Sequence, residues 1–264
     1  MYATTSRPAG RPTRGKTAPN RLRRLDAFLA IWAGPELWHQ TGPVVDLGFG
    51  REPVTTAEMA ERFWEHDPKL EVIGVELDAE RVAAGAAYAR PGLRFLRGGF
   101  NVSIPRPARL IRAMNVLRQY APEAVEEAWS QMSANLAPGG LLVEGTCNPT
   151  GGIMVVNLLR RVGDDLRLEG VLFSARLGKV GSDPEMFPPV LPKQLIHRMV
   201  PGEPIHTFFE DWRAAARCTA PLRTWGACQH FVATGQQLAQ RHPSVLARPR
   251  LLRRGYLLWQ HPPA

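Results

Sequence analysis

From residue 43 onward, short apolar runs alternate with stretches in which apolar residues recur every three or four positions. The runs at 44–47, 71–76, 93–97, 110–115 and 141–146 predict strands. The stretches between them predict helices at 55 to about 66, at 79–89, and from Pro122 to a stop at Pro138-Gly139-Gly140. Thr55 and Glu58 have the spacing of a capping box. Asp78 is placed to cap the second helix, and Pro122 fits a helix first turn. Strand and helix alternating in this way predict an α/β fold, a doubly wound and mostly parallel sheet with helices on both faces.

The flanks are less regular. Leu22, Leu25, Phe28, Leu29 and Trp32 form a helical stripe for which Asn20 is a suitable N-cap. Residues 1–19, rich in Arg, Pro, Gly and Thr, read as a disordered basic arm. Arg23-Arg24 before a short apolar run has the look of a twin-arginine signal. Asp26 and Pro35-Glu36 argue instead for an arm that ends in a helix. After residue 150, 153–162 reads as a helix and 168–177 as a strand. Residues 183–250 form a proline-broken insertion with helical patches near 208–217 and 230–241, a candidate substrate region, before a last strand at 255–260. The expected layout is the arm at 1–19 and a single domain at 20–264.

Charge changes the picture at the two ends. The formal net charge is +9. Residues 1–24 hold seven basic residues and no acid, and residues 213–264 hold eight arginines and no acid. The middle carries 18 basic residues against all 24 acids, a net of −6. Basic ends on an acidic body suggest an anionic partner, RNA among them. Only four of the 33 basic residues are lysines, so a coding bias toward arginine is the competing explanation. Cys147, Cys218 and Cys228 lack zinc spacing, which argues against a metal site, and an odd, sparse cysteine count fits a reducing cytoplasm. No apolar run approaches a membrane span.

Candidate chemistry centres on Val44-Val45-Asp46-Leu47-Gly48-Phe49-Gly50-Arg51-Glu52-Pro53. A strand that runs into glycines places a turn at the carboxyl edge of the sheet, where open α/β folds bind ligands. A dinucleotide fingerprint needs a third small residue so that pyrophosphate can sit on a helix N-terminus. Glu52 stands there and would repel it. A ligand without phosphate but with cationic groups tolerates the acids. Glu76, 26 positions after Gly50 at the end of the second strand, is placed to take two ribose hydroxyls.

Residues 44–50, Gly74-Val75-Glu76, Met114-Asn115-Val116-Leu117 and 136–142 together resemble, in order, the motifs of class I S-adenosylmethionine-dependent methyltransferases. The resemblance covers residues 43–146 and implies a seven-stranded Rossmann-like sheet with 43–146 as its cofactor-binding half. It implies that Asp46, Gly48, Phe49 and Gly50 hold the methionine end of S-adenosylmethionine, with Arg51 at its carboxylate. Glu76 would bind the ribose, Leu77 would lie against the adenine, Phe100 would pack on that ring and Asn101 would read its amino group. Asn115 would sit near the transferred methyl, and no metal is implied. Each also has a structural reading. Asp46 can hold the turn, Phe100 can be core, Asn115 can end the strand, and 136–140 can stop a helix.

The acceptor is not legible. The Asn-Pro-Pro-Tyr pattern of base amino methylation is absent after the fourth strand, and Asn148-Pro149 reads as a turn. No general base stands out. His197, His206, His230 and His242 fall in the loosely patterned part and read as surface residues. Two alternatives stay open beside a methyltransferase acting on RNA or a small metabolite. One is a non-catalytic nucleic-acid- or partner-binding module on the same fold. The other is a dinucleotide oxidoreductase, which Glu52 disfavours.

Overall fold

In the computed structural model, residues 9–11, 15, 17–101 and 103–263 are described. Most of the basic arm, with Arg7, Arg14 and Lys16, lies outside the described residues. The strands are β1 (Val44–Leu47), β2 (Val72–Glu76), β3 (Leu93–Arg97), β4 (Ala108–Met114), β5 (Leu136–Cys147), β6 (Ile153–Val162), β7 (Asp165–Ala175), β8 (Val245–Leu246) and β9 (Tyr256–Gln260). The helices are α1 (Arg23–Trp32), α2 (Gly34–His39), α3 (Val54–Trp64), α4 (Ala79–Gly85), α5 (Glu123–Ser133), α6 (Leu177–Val180), α7 (Lys193–Ile196), α8 (Pro204–Cys218), α9 (Ala227–Arg241) and α10 (Pro249–Leu252). Among the described residues the sheet has nine strands rather than seven, in the order β3-β2-β1-β4-β5-β6-β7-β9-β8.

The chain forms two compact units. The first comprises 1–116, 123–143 and 160–167. In it β1 pairs in parallel with β2 and with β4, and β2 pairs in parallel with β3. Every residue of β1, β2 and β4 is buried, which explains why these strands read as largely apolar runs, broken by Asp46 in β1, by Arg109 and Arg112 in β4 and by Glu76 at the end of β2. Asp78 caps α4, its carboxylate accepting from the Glu80 and Arg81 amides. The Thr55–Glu58 capping box does not form, because α3 begins at Val54 after Pro53 and no side chain caps it. Thr56 is turned inward, and Glu58 instead accepts from the Asn20 amide and pairs with Arg62. Asn20 is not the N-cap of α1. It adopts φ 60°, and its side-chain oxygen accepts from Arg62.

The second unit comprises 117–122, 144–159 and 168–264. Its core is aromatic. Phe173, Phe187, Phe208, Phe209, Trp212, Phe231 and Trp259 are buried together, and Phe208 stacks on Trp259 at 4.1 Å between centroids. β9 runs antiparallel to β7 and to β8. Asn148 makes the expected turn, its side-chain oxygen accepting from the Gly152 and Ile153 amides. Two expectations are corrected. Residues 153–162 form β6, not a helix, because Ile153, Val155, Val156 and Val162 are β-branched and suit a pleated surface. Residues 136–140 belong to β5, and the preceding helix stops earlier, at Ser133.

One polar pair stands out within this second unit. Asn157 Nδ2 donates to the buried Glu144 Oε2 at 3.0 Å. Burial pushes the Glu144 carboxyl up to about 7, against the lowering effect of that bond. The folded protein therefore binds more protons than the unfolded chain between the ordinary value of 4.5 and about 7. Stability falls as pH rises through that window, by at most about 3 kcal/mol at ~1.36 kcal/mol per pH unit. Glu144→Gln should remove this slope. Urea unfolding of both proteins at about pH 5 and about pH 7.5 checks it. An unchanged difference between the two proteins across that range contradicts the assignment.

Candidate functional site

Because β1 to β4 are parallel, their carboxyl ends lie on one edge of the first unit. The resemblance placed its candidate residues at these strand ends. β1 leads into Gly48, Phe49, Gly50 and Arg51, and β2 ends at Glu76 with Leu77 following. β3 is followed by Gly98 to Asn101, and β4 by Asn115. The chain order reverses between β1 and β4, the switch point at which open sheets of this kind bind ligands.

The glycine turn closes on the strand-end acid. Gly48 and Gly50 adopt φ 76° and 89°, the left-handed region that favours glycine. The Gly48 amide donates to the Val75 carbonyl at 2.7 Å. The Gly50 amide donates to Glu76 Oε2, and the Leu77 amide donates to Glu76 Oε1, each at 2.9 Å. Arg81 reaches to 3.6 Å from the same carboxylate. Glu76 is 1% exposed, so its charge is held by two main-chain donors and a neighbouring guanidinium. Each carboxylate oxygen keeps a further lone pair for a hydroxyl donor.

Both carboxylate oxygens of Asp46 are engaged by neighbouring side chains. Arg112, fully buried on β4 and in register with Asp46, donates to both of its oxygens at 2.8 Å. The Thr56 hydroxyl adds a third bond at 2.6 Å. Arg112 also donates to Asp26 on α1 and to the Thr55 carbonyl, and Arg62 donates to the other Asp26 oxygen. Burial opposes the Arg112 charge, yet Asp46 and Asp26 outweigh it and hold the guanidinium above its ordinary range. Arg112 and Asp46 together thus tie β1, β4, α1 and the first turn of α3 to one another. Sequence reasoning missed Arg112 and its pairing with Asp26. An arginine inside an otherwise apolar strand was the available signal, since a buried guanidinium requires acidic partners.

The remaining candidates divide. Phe49 is buried and meets Phe95 edge to face at 5.4 Å, so its ring is core and only its backbone faces the turn. Phe100 is buried as well. Asn101 Oδ1 accepts from the Ala9 amide at 2.8 Å. Arg51 is exposed, and its amide donates to the Gly15 carbonyl at 3.0 Å. Asn115 takes φ 60°, a backbone that Asn adopts more readily than most residues, immediately beyond β4. In the second unit His230 is buried, not at the surface as expected. Its Nδ1 lies 2.8 Å from the Ser182 hydroxyl and its Nε2 lies 3.1 Å from the Ala216 carbonyl. The Ala216 carbonyl can only accept, so Nε2 donates to it. His197 is exposed, and His206 and His242 sit beside Glu210 and Asp211. No group of three or more His, Cys, Asp or Glu suited to a metal occurs among the described residues. No helix among them is long and apolar enough to cross a membrane.

The parallel strands follow the doubly wound order, outward from β1 on each side. The fold is Rossmann-like. No family model and no curated protein matches the chain. Among solved structures it is similar to CalS10, an amino pentose methyltransferase from Micromonospora echinaspora with SAM bound, at 21% identity and a TM-score of 0.36. That match covers 61% of this chain and 70% of CalS10. It is also similar to magnesium protoporphyrin IX methyltransferase (ChlM) from Synechocystis PCC 6803 with bound SAH, at 17% identity and a TM-score of 0.37, covering 50% of this chain and 56% of ChlM. A protein described as a pericyclic reaction enzyme matches at 18% identity and a TM-score of 0.34, over 47% of this chain and 30% of its own length. The chain thus spans little more than half of ChlM and under a third of the last. A likeness at this level does not fix a reaction.

Proposed function

We propose that the protein is a class I S-adenosylmethionine-dependent methyltransferase. The observation that carries this reading is the closure of the Gly50 amide onto the buried Glu76 carboxylate at the β1/β4 switch point. A glycine turn and a strand-end acid joined there make a cradle for a ribose and the chain that extends from it. Gly48 and Gly50 admit the ligand to the backbone, Glu76 receives the ribose diol and Leu77 borders the base. Arg51 is exposed beside the turn, where it can meet a carboxylate. Asp46 acts from beneath as the residue that positions the turn. S-adenosylmethionine would supply a methyl group activated on a sulfonium. The chain's own contribution is to align an acceptor with it and to exclude water.

A dinucleotide fits less well. Glu52 flanks the turn, and the first turn of α3 is committed below, with the Thr55 carbonyl and the Thr56 hydroxyl engaged by Arg112 and Asp46. The methyl acceptor is a small metabolite or RNA. The arginine-rich end is less free than its composition suggests, since Arg213, Arg223 and Arg241 lie beside Glu185, Asp183 and Asp211. Arg217, Arg248, Arg250 and Arg253 make no ion pair among the described residues and keep an RNA acceptor, or a non-catalytic binding module, as the second reading. Gly48→Val tests the cradle. A branched side chain at φ 76° is strained and projects where a ligand must approach the backbone, so binding of S-adenosylhomocysteine should be lost. A folded variant that binds normally in calorimetry contradicts the proposal.

A further inference from the structure

The N-terminal segment does not simply leave the domain. Asn20 is fastened to α3, its amide on Glu58 and its side chain on Arg62. Upstream, the Gly15 carbonyl accepts from the Arg51 amide at 3.0 Å, on the glycine turn itself. A Cβ on Gly50 would lie 3.2 Å from that carbonyl oxygen, so backbone rests against backbone. Gly15 also packs beside Arg81, the residue that faces Glu76. Further upstream, the Ala9 carbonyl accepts from the Phe100 amide at 3.0 Å, and the Ala9 amide donates to Asn101 Oδ1 at 2.8 Å. At Gly99 a Cβ would meet the Ala9 oxygen at 1.7 Å, a closeness that only glycine permits.

These contacts fall on the glycine turn, which the proposed function assigns to the cofactor, and on the loop after β3, where the family resemblance would place the adenine. The Asn101 side-chain oxygen is the acceptor that the resemblance assigns to the adenine amino group; it accepts from the Ala9 amide, and the Ala9 backbone packs directly on Gly99 beside it, in space an adenine would need. Gly50 and Arg51 border the methionine end, and Gly15 lies on them. An occupant that uses a ligand's recognition atoms competes with that ligand. We infer that the backbone at Ala9 and at Gly15 acts as an autoinhibitory strap, which pairs with these loops and is displaced when S-adenosylmethionine binds. This inference rests on the reading of the site as an S-adenosylmethionine cradle. The strap lowers apparent affinity by the fraction of molecules in which the site is open.

The test compares the full chain with a chain lacking residues 2–15, and with Gly15→Val. That substitution strains φ 73° and drives a side chain toward the Arg81 guanidinium. Calorimetry with S-adenosylhomocysteine should show binding about tenfold tighter in the shortened chain, the scale set by losing two or three competing hydrogen bonds. Gly15→Val should shift affinity the same way. In the ligand-free full chain the Phe100 and Arg51 amides should be protected from hydrogen exchange, and truncation should remove that protection. Adding S-adenosylhomocysteine to the full chain should speed hydrogen exchange at the Ala9 amide, which donates to Asn101. Equal or weaker binding by the shortened chain, or slower exchange at the Ala9 amide with ligand, overturns the inference in favour of a lid that closes over the cofactor. Unprotected amides in the full chain overturn it directly. If neither chain binds while the amides are protected, the cofactor reading itself has failed, and competition with S-adenosylmethionine fails with it.

Discussion

Arg112→Met is expected to lower the unfolding free energy by roughly 3–5 kcal/mol, the cost of breaking a buried ion pair from one side. Methionine fills much of the arginine's volume, so the loss reports charge more than cavity. Two carboxylates would remain out of water without their main partner. Asp26 would keep Arg62, and Asp46 would keep only the Thr56 hydroxyl. Urea unfolding followed by tryptophan fluorescence measures the change. Adding Asp26→Asn and Asp46→Asn to the same chain should recover part of it, because neutral amides tolerate burial better than charges do. A loss below about 1 kcal/mol for Arg112→Met would mean that the triad is not the clamp the geometry describes, since that is the range of an exposed pair. The turn above Asp46 should also loosen, so ligand affinity should fall together with stability.

Glu76→Ala is expected to separate these two quantities. The carboxylate takes the Gly50 and Leu77 amides in the free protein, and in the proposed complex it also takes the ribose hydroxyls. Losing charge-assisted hydrogen bonds to a ligand costs about 1.5–3 kcal/mol, or roughly ten- to a hundredfold in affinity. Calorimetry with S-adenosylhomocysteine, beside a thermal melt, reads both quantities. An unchanged dissociation constant in a folded variant removes Glu76 from the site and leaves it as a brace for the turn.

Much of the first unit was legible because its determinants are local. The fully buried strands show as apolar runs bounded by Gly, Pro and Asp, and β3 matches its expected bounds residue for residue. Asp78 caps a helix through amides two and three positions away, which spacing reveals. The misreadings arose where context decided. Residues 153–162 interleave apolar pairs with Asn157 and two arginines, a pattern that suits either period until burial settles it. The Thr55 box failed because α3 begins one residue earlier, at Val54 after Pro53, so that Thr55 lies inside the helix. The partners of Arg112 lie 66 and 86 positions away, and no local pattern announces them. The contacts of Ala9 and Gly15 are made largely by main-chain atoms. A Gly- and Pro-rich segment therefore looks the same in sequence whether it is bound or loose. His230 looked like any solvated histidine because its burial depends on Ser182, 48 positions earlier.

The central claim is that the Gly48–Gly50 turn and Glu76 form an S-adenosylmethionine cradle and not a dinucleotide site. Calorimetric titration of the full chain with S-adenosylmethionine, S-adenosylhomocysteine and NAD tests it most directly. The account predicts saturable one-to-one binding of the first two and no heat of binding with NAD. Binding of NAD, or of none of the three, would contradict it.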